Sequence, residues 1–167
     1  MYSENDYHFY YTAYAWIDMP PASQPLPASL ERIVQRFQQI LEPKRRYEYL
    51  LCFAKRLPPF PDEQKVAENK VPGCVSQVYV TASLQQGKVI FQGDSDSQLT
   101  KGLVGLLVEG LNGLAPAEII QLKPDFIQRT GLDISLTPSR ANGFYNIFQT
   151  MQQKALVYHL AETYLRT

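Results

Sequence analysis

The 167-residue sequence is poor in the side chains that build most covalent and metal-based sites. It has two cysteines, Cys52 and Cys74, and two histidines, His8 and His159. Two cysteines are too few for a disulfide framework in a chain of this size. Set far from the two histidines, they also form no ligand cluster of zinc type, so neither a metal nor a cofactor is expected. There is no excess of either charge: Lys and Arg total 16, Asp and Glu total 16, and the formal net charge is zero. Nucleic acid and anionic membrane surfaces both select a basic excess, so neither is an expected partner. No apolar run reaches the roughly 18 residues of a membrane-spanning helix. No basic residue precedes Arg32, whereas Glu4, Asp6 and Asp18 do, which fits neither a signal peptide nor a transit peptide. A reducing, cytoplasmic setting is the expectation. A glycine-rich phosphate loop after a strand and a serine nucleophile elbow are both missing.

What is present reads as one domain with an extension. Residues 1–28 carry Tyr2, Tyr7, Tyr10, Tyr11 and Tyr14, then Pro20, Pro21, Pro25 and Pro27. The prolines forbid a helix, and a flexible extension or a short docking segment is expected. The domain proper is expected over 29–167. Leu30, Ile33, Val34, Phe37, Ile40 and Leu41 repeat with a helical period, with Ser29 as a candidate cap. A second helix over about 44–57 has Tyr47, Leu50, Leu51 and Ala54 on its inner face and basic residues outside. Cys52 lies inside it, where a cysteine usually acts as a small hydrophobe. Residues 75–82 and 88–92 read as two strands joined at Gln85-Gln86-Gly87. Gly93-Asp94-Ser95-Asp96-Ser97 reads as a turn whose carboxylates cap a helix over 97–111. Gly102, Gly105 and Gly110 weaken that helix unless another element packs close to it. Pro116 and Pro124 open short helices, and Thr137-Pro138 opens a long terminal one. Helices before and after a single hairpin predict an α+β fold, a small antiparallel sheet with helices packed on one face.

The residue with the clearest chemical potential is Cys74. Pro72-Gly73 sets a turn directly before it and a strand pattern follows it, so the thiol is expected at a loop tip on the rim of the sheet. Reactivity of a thiol depends on exposure and local charge. The candidate charge is Arg140, in the first turn of the terminal helix, where a cation gains nothing from the helix dipole. The competing reading is a small residue tucked under a turn. A cysteine hydrolase needs a base in contact with the thiol, and neither histidine is placed for that. Few reactions suit a thiol without base, metal or resolving cysteine. Transfer of a sulfane sulfur between thiols is one, since it needs access, orientation and a good leaving group.

Four segments, Val71-Pro72-Gly73-Cys74-Val75-Ser76-Gln77-Val78-Tyr79, Phe91-Gln92-Gly93-Asp94-Ser95-Asp96, Lys101-Gly102-Leu103 and Leu136-Thr137-Pro138-Ser139-Arg140-Ala141-Asn142-Gly143, resemble the SufE family in order and spacing. The resemblance runs from about Leu30 to Lys154. It implies a fold shared with iron–sulfur scaffold proteins of the IscU type. It implies that Cys74, following Gly73, takes persulfide sulfur from a SufS-type cysteine desulfurase, stimulates that enzyme, and passes the sulfur to iron–sulfur cluster assembly on a scaffold protein. Pyridoxal phosphate would reside on the desulfurase. Gln77, Asp94, Asp96 and Arg140 match family positions around the active loop and partner surface. Val71, Val75 and Tyr79 are expected to shield the persulfide. Such a chain is an accessory sulfurtransferase, as monomer or homodimer. The alternative is a binding module that activates the desulfurase by contact without accepting sulfur.

Overall fold

The computed structural model describes residues 25–166. The expectations for residues 1–24 lie outside the described residues. Val78–Gln85 (β1) and Lys88–Ser95 (β2) form an antiparallel hairpin. Gln86 and Gly87 make its two-residue turn, both at positive φ (52° and 75°), the twist that matches right-handed strands. The register pairs Val78 with Ser95, Val80 with Gly93, Ala82 with Phe91 and Leu84 with Val89. Because strand side chains alternate, these eight residues share one face, and Val78, Val80, Val89 and Phe91 are fully buried on it. On the other face Phe60 stacks on Tyr79, with ring centroids 6.4 Å apart. β1 starts at Val78 rather than at residue 75, because residues 75–77 stay in the loop, and it ends at Gln85, while β2 runs further than its apolar pattern suggests. Asp94 and Ser95 belong to β2 and not to a turn, because the ladder continues to the Val78–Ser95 pair.

The helices cover the buried face. Ala28–Gln38 (α1) buries Leu30, Ile33, Val34 and Phe37, each burial stabilising by roughly 1.5–3 kcal/mol. Ser29 does not cap α1: its hydroxyl donates to Gly110 O at 2.7 Å and ties the helix start to a neighbour. Pro43–Arg56 (α2) buries Leu50, Phe53 and Ala54, while Tyr47 and Leu51 are only half-buried. Gln98–Leu111 (α3) is almost wholly buried and lies between α2 and β2. Its glycines let α2 in: a Cβ built on Gly105 would stand 2.5 Å from Phe53 O, and one on Gly102 would stand 2.7 Å from Leu50 O. Two helix backbones this close exclude any side chain at those positions.

Three short helices, Pro116–Gln121 (α4), Phe126–Arg129 (α5) and Leu132–Ser135 (α6), lead to the terminal helix Pro138–Arg166 (α7). The first half of α7 buries Gly143, Phe144, Ile147, Phe148, Met151 and Ala155. Further along, the Tyr158 hydroxyl donates to Ala82 O at 2.8 Å, so α7 runs beside β1. The result is the expected α+β arrangement. Among the described residues no helix is long and apolar enough to cross a membrane.

Candidate functional site

Cys74 sits in the loop of residues 72–77, which enters β1. The loop is closed at its base, where Val71 N donates to Val78 O at 2.8 Å and Lys70 bridges to Tyr79. Gly73 has φ +75°, a backbone conformation that L side chains rarely adopt, and this reverses the chain just before the thiol. On the strand side, Gln77 and Asp96 hold each other. Gln77 N donates to Asp96 Oδ1 at 2.9 Å, and Asp96 N donates to Gln77 O at 3.2 Å. On the other side, Asn146 Nδ2 on α7 donates to Gly73 O at 3.1 Å. The loop carrying the thiol is therefore tied at its base and on both flanks.

The thiol is half-buried and its Sγ stands 3.8 Å from Gly143 O of α7. Burial pushes the Cys74 thiol up from its ordinary value, because a thiolate loses hydration there. Beside it lies a hollow of about 220 Å3 lined by Ser97, Thr100, Thr137, Ser139 and Arg140 as well as the loop itself. Most of these side chains are hydroxyls. Among the described residues the Arg140 side chain makes no ion pair or hydrogen bond, so its five donors are available. A guanidinium in that condition suits an anion arriving from outside.

The structure brings Cys74, Gly73, Gln77, Asp96 and Arg140 to this one edge. Asp94 is nearby on β2 with a different task. Its carboxylate pairs with Lys101 at 3.1 Å and Lys65 at 3.5 Å, joining α3 and the 62–65 turn to the strand. Neither Asp94 nor Asp96 caps α3. That helix starts behind Ser97 without a side-chain cap, and both carboxylates are already engaged. The Gln77 side chain is exposed and accepts from the Tyr79 hydroxyl at 3.3 Å, away from the thiol. Of the three residues expected to shield the persulfide, Val71 is buried in the core, Val75 is 89% exposed beside the thiol, and Tyr79 stacks on Phe60. His159 lies in the part of α7 beyond Ala82, far from the loop, and His8 is outside the described residues. Among the described residues no three His, Cys, Asp or Glu side chains gather as a metal site would require.

Asn146 and the hydroxyls of Ser97 and Thr100 were not legible as site residues. One signal does exist for Asn146. Arg140, Gly143 and Asn146 recur every third residue, which puts them on one face of a helix. That face becomes visible only once the helix is known to pass the loop.

A match to the family described as "SufE: Fe-S metabolism associated domain" covers residues 31–155. The chain is 61% identical over 143 residues to an uncharacterized SufE-like protein of Synechocystis sp., covering 86% of this chain and 90% of that one. It is 48% identical over 140 residues to the chloroplastic/mitochondrial SufE-like protein 1 of Arabidopsis thaliana, covering 83% of this chain and 38% of that one. It is 41% identical over 132 residues to the cysteine desulfuration protein SufE of Plasmodium vivax, covering 76% of this chain and 52% of that one. The chain thus spans only part of these last two relatives. The solution structure of a hypothetical protein from Thermus thermophilus superposes with a TM-score of 0.68 at 27% identity, covering 78% of this chain and 96% of that one. The chain belongs to the SufE family.

Proposed function

We propose that this protein accepts sulfur on Cys74 from the persulfide of a SufS-type cysteine desulfurase, stimulates that enzyme by doing so, and delivers the sulfur to iron–sulfur cluster assembly on a scaffold protein. One observation carries the reading. A half-buried thiol stands on a loop tied on both flanks, beside a hollow with a guanidinium that, among the described residues, has no partner, and no described histidine stands beside the thiol as a base. A hydrolase needs that base; a carrier does not.

The step balances without an oxidant. The Cys74 sulfur attacks the terminal sulfur of the donor persulfide. A bond forms between Cys74 Sγ and that sulfur, and the bond between the donor cysteine and the same sulfur breaks. The donor cysteine leaves as thiolate and takes up the proton that Cys74 gave away. Burial disfavours the Cys74 thiolate in the free protein, and we place deprotonation in the complex with the desulfurase. The exposed Val75 and the Arg140 guanidinium flank the thiol as the contact surface for that enzyme.

The test is mass spectrometry of the protein after incubation with a cysteine desulfurase and free cysteine. One added sulfur atom is expected on the peptide containing Cys74 and none on that containing Cys52. Full stimulation of the desulfurase by a Cys74→Ser variant would instead establish activation by contact alone.

A further inference from the structure

The loop must let its sulfur out, and the structure shows what holds it in. The base pairing of Val71 with Val78 belongs to the sheet edge, and the Gln77–Asp96 pair extends the hairpin ladder by one step. Past the thiol, Ser76 Oγ lies 3.5 Å from Thr100 Oγ1 of α3. None of these touches the segment just ahead of the thiol, and among the described residues the side-chain hydrogen bond to that segment comes from Asn146. Gly73 O, the carbonyl of the peptide that enters Cys74, accepts from Asn146 Nδ2 at 3.1 Å. The amide also packs against the glycine itself, since a Cβ there would stand 2.8 Å from Nδ2. The other link between loop and α7 is the thiol contact with Gly143 O at 3.8 Å, a weak one. Asn146 is not needed to seat the helix, because the neighbouring Phe144, Ile147 and Phe148 are buried in the core.

We propose that Asn146 is a positioning residue that latches the Cys74 loop onto α7, and that this bond breaks each time sulfur is exchanged with a partner. The proposal rests on the sulfur-acceptor reading for its purpose, though not for its geometry. A latched loop keeps Sγ half-buried between transfers and lowers the fraction of molecules ready for the partner. The apparent affinity for the partner falls by that same fraction.

The test uses the full chain with Cys52→Ser, so that Cys74 is the only thiol. Asn146→Ala and Asn146→Leu both remove the donor without adding charge, and leucine keeps the approximate shape of asparagine. Alkylation of Cys74 by iodoacetamide at fixed pH is expected to quicken about two- to tenfold in both variants, the range set by losing one such hydrogen bond. The melting temperature should fall by no more than about 6 °C, the share of that one bond. The concentration giving half-maximal stimulation of a SufS-type desulfurase should fall by the same factor, with the maximal rate unchanged. Unchanged alkylation in both variants would overturn the latch. So would faster alkylation accompanied by a loss of stability beyond that share, or by an unmoved half-maximal concentration. If the parent protein acquires no sulfur, the acceptor reading fails while the alkylation rates still report on the latch.

Discussion

Cys52 and Cys74 are both half-buried, and each thiol donates toward a main-chain carbonyl. Their partners differ in kind. Cys52 Sγ reaches Glu48 O at 3.4 Å, one turn back along its own helix. Cys74 Sγ reaches Gly143 O, 69 residues away on another element. The larger hollow, about 500 Å3, adjoins Cys52 and is bounded by α2 and the turn before it, while the hollow at Cys74 is less than half that size. Burial therefore does not separate the two thiols, and cavity size points to Cys52. What separates the two is mounting. One sulfur is fixed to a helix whose next residues, Phe53 and Ala54, are locked in the core. The other rides on six residues held by hydrogen bonds that can open one at a time. On the function proposed above, a carrier presents its sulfur to two partners in turn, which a loop mounting suits better than a helix mounting.

The largest expected difference follows directly. Cys74→Ser should abolish sulfur uptake entirely, and Cys52→Ser should leave it at the parental level. Mass spectrometry of the two single variants measures this, and sulfur appearing on Cys52 at a comparable rate would erase the contrast between the mountings.

The rigid side of the comparison is broken next. Gly105→Ala places a methyl group 2.5 Å from Phe53 O, against backbone that cannot swing aside. The helices must separate, at a cost of about 1–3 kcal/mol. In a chain of this length each kcal/mol lowers the melting temperature by about 2–4 °C. Sulfur uptake at temperatures well below the transition should survive, because the loop meets α3 only at its first turn, where Thr100 Oγ1 lies 3.5 Å from Ser76 Oγ, and its other ties run to β1, β2 and α7. Calorimetry with a parallel uptake assay reads both halves. Loss of uptake in a folded Gly105→Ala protein would show that the two regions are not independent.

These contrasts also mark what the amino-acid pattern could and could not reveal. The α3 face, the hairpin, the close approach at Gly102 and Gly105 and the α1 face up to Phe37 were legible, because periodicity and glycine placement are local signals; Ile40 and Leu41 continue the period but lie past the end of α1, and Leu41 is exposed. Cys74 was legible for the same reason: Pro72-Gly73 announces its turn. The tasks of Ser29, Asp94 and Asp96 were misread as caps. Each is a good N-cap by type, and each is claimed instead by a partner distant in sequence: Gly110 O, the Lys65 and Lys101 ammonium groups, and Gln77 N. Residue type states what a side chain can do, and tertiary contact decides which option it takes. Asn146 was missed for the same cause, since its purpose exists only where α7 passes the loop.

A smaller effect separates two arginines. Arg56 is engaged by both Glu109 oxygens, at 2.7 and 3.1 Å, and its guanidinium lies over the Phe53 ring at 4.5 Å. Arg140 lines the hollow at Cys74 without such a partner among the described residues. Arg140→Ala should leave the melting temperature unchanged and raise the half-maximal concentration for desulfurase stimulation about tenfold, as expected for losing a charge-assisted contact with a partner. Arg56→Ala should do the reverse: a stability loss below about 1 kcal/mol, since that pair is largely exposed, and normal stimulation. Equal stimulation by both variants would remove Arg140 from the contact surface.

The smallest effect concerns where the proton on Cys74 is lost. Burial disfavours the thiolate, so the folded protein keeps this proton to higher pH than the unfolded chain, in which a cysteine titrates near about 8.5. Between those two values the folded state binds more protons than the unfolded state. The thiol's contribution to stability is thus full below the unfolded pKa and is lost as pH rises through the folded one. With Cys52→Ser as background, the pH profile of Cys74 alkylation should have its midpoint above that of the same protein in urea. Cys74→Ser should flatten the matching alkaline decline in stability. A folded midpoint at or below the unfolded one would mean that the free protein activates its own thiol. The lone mounting of Cys74 would then be a complete nucleophilic site, and the division of labour between carrier and desulfurase would fall with it.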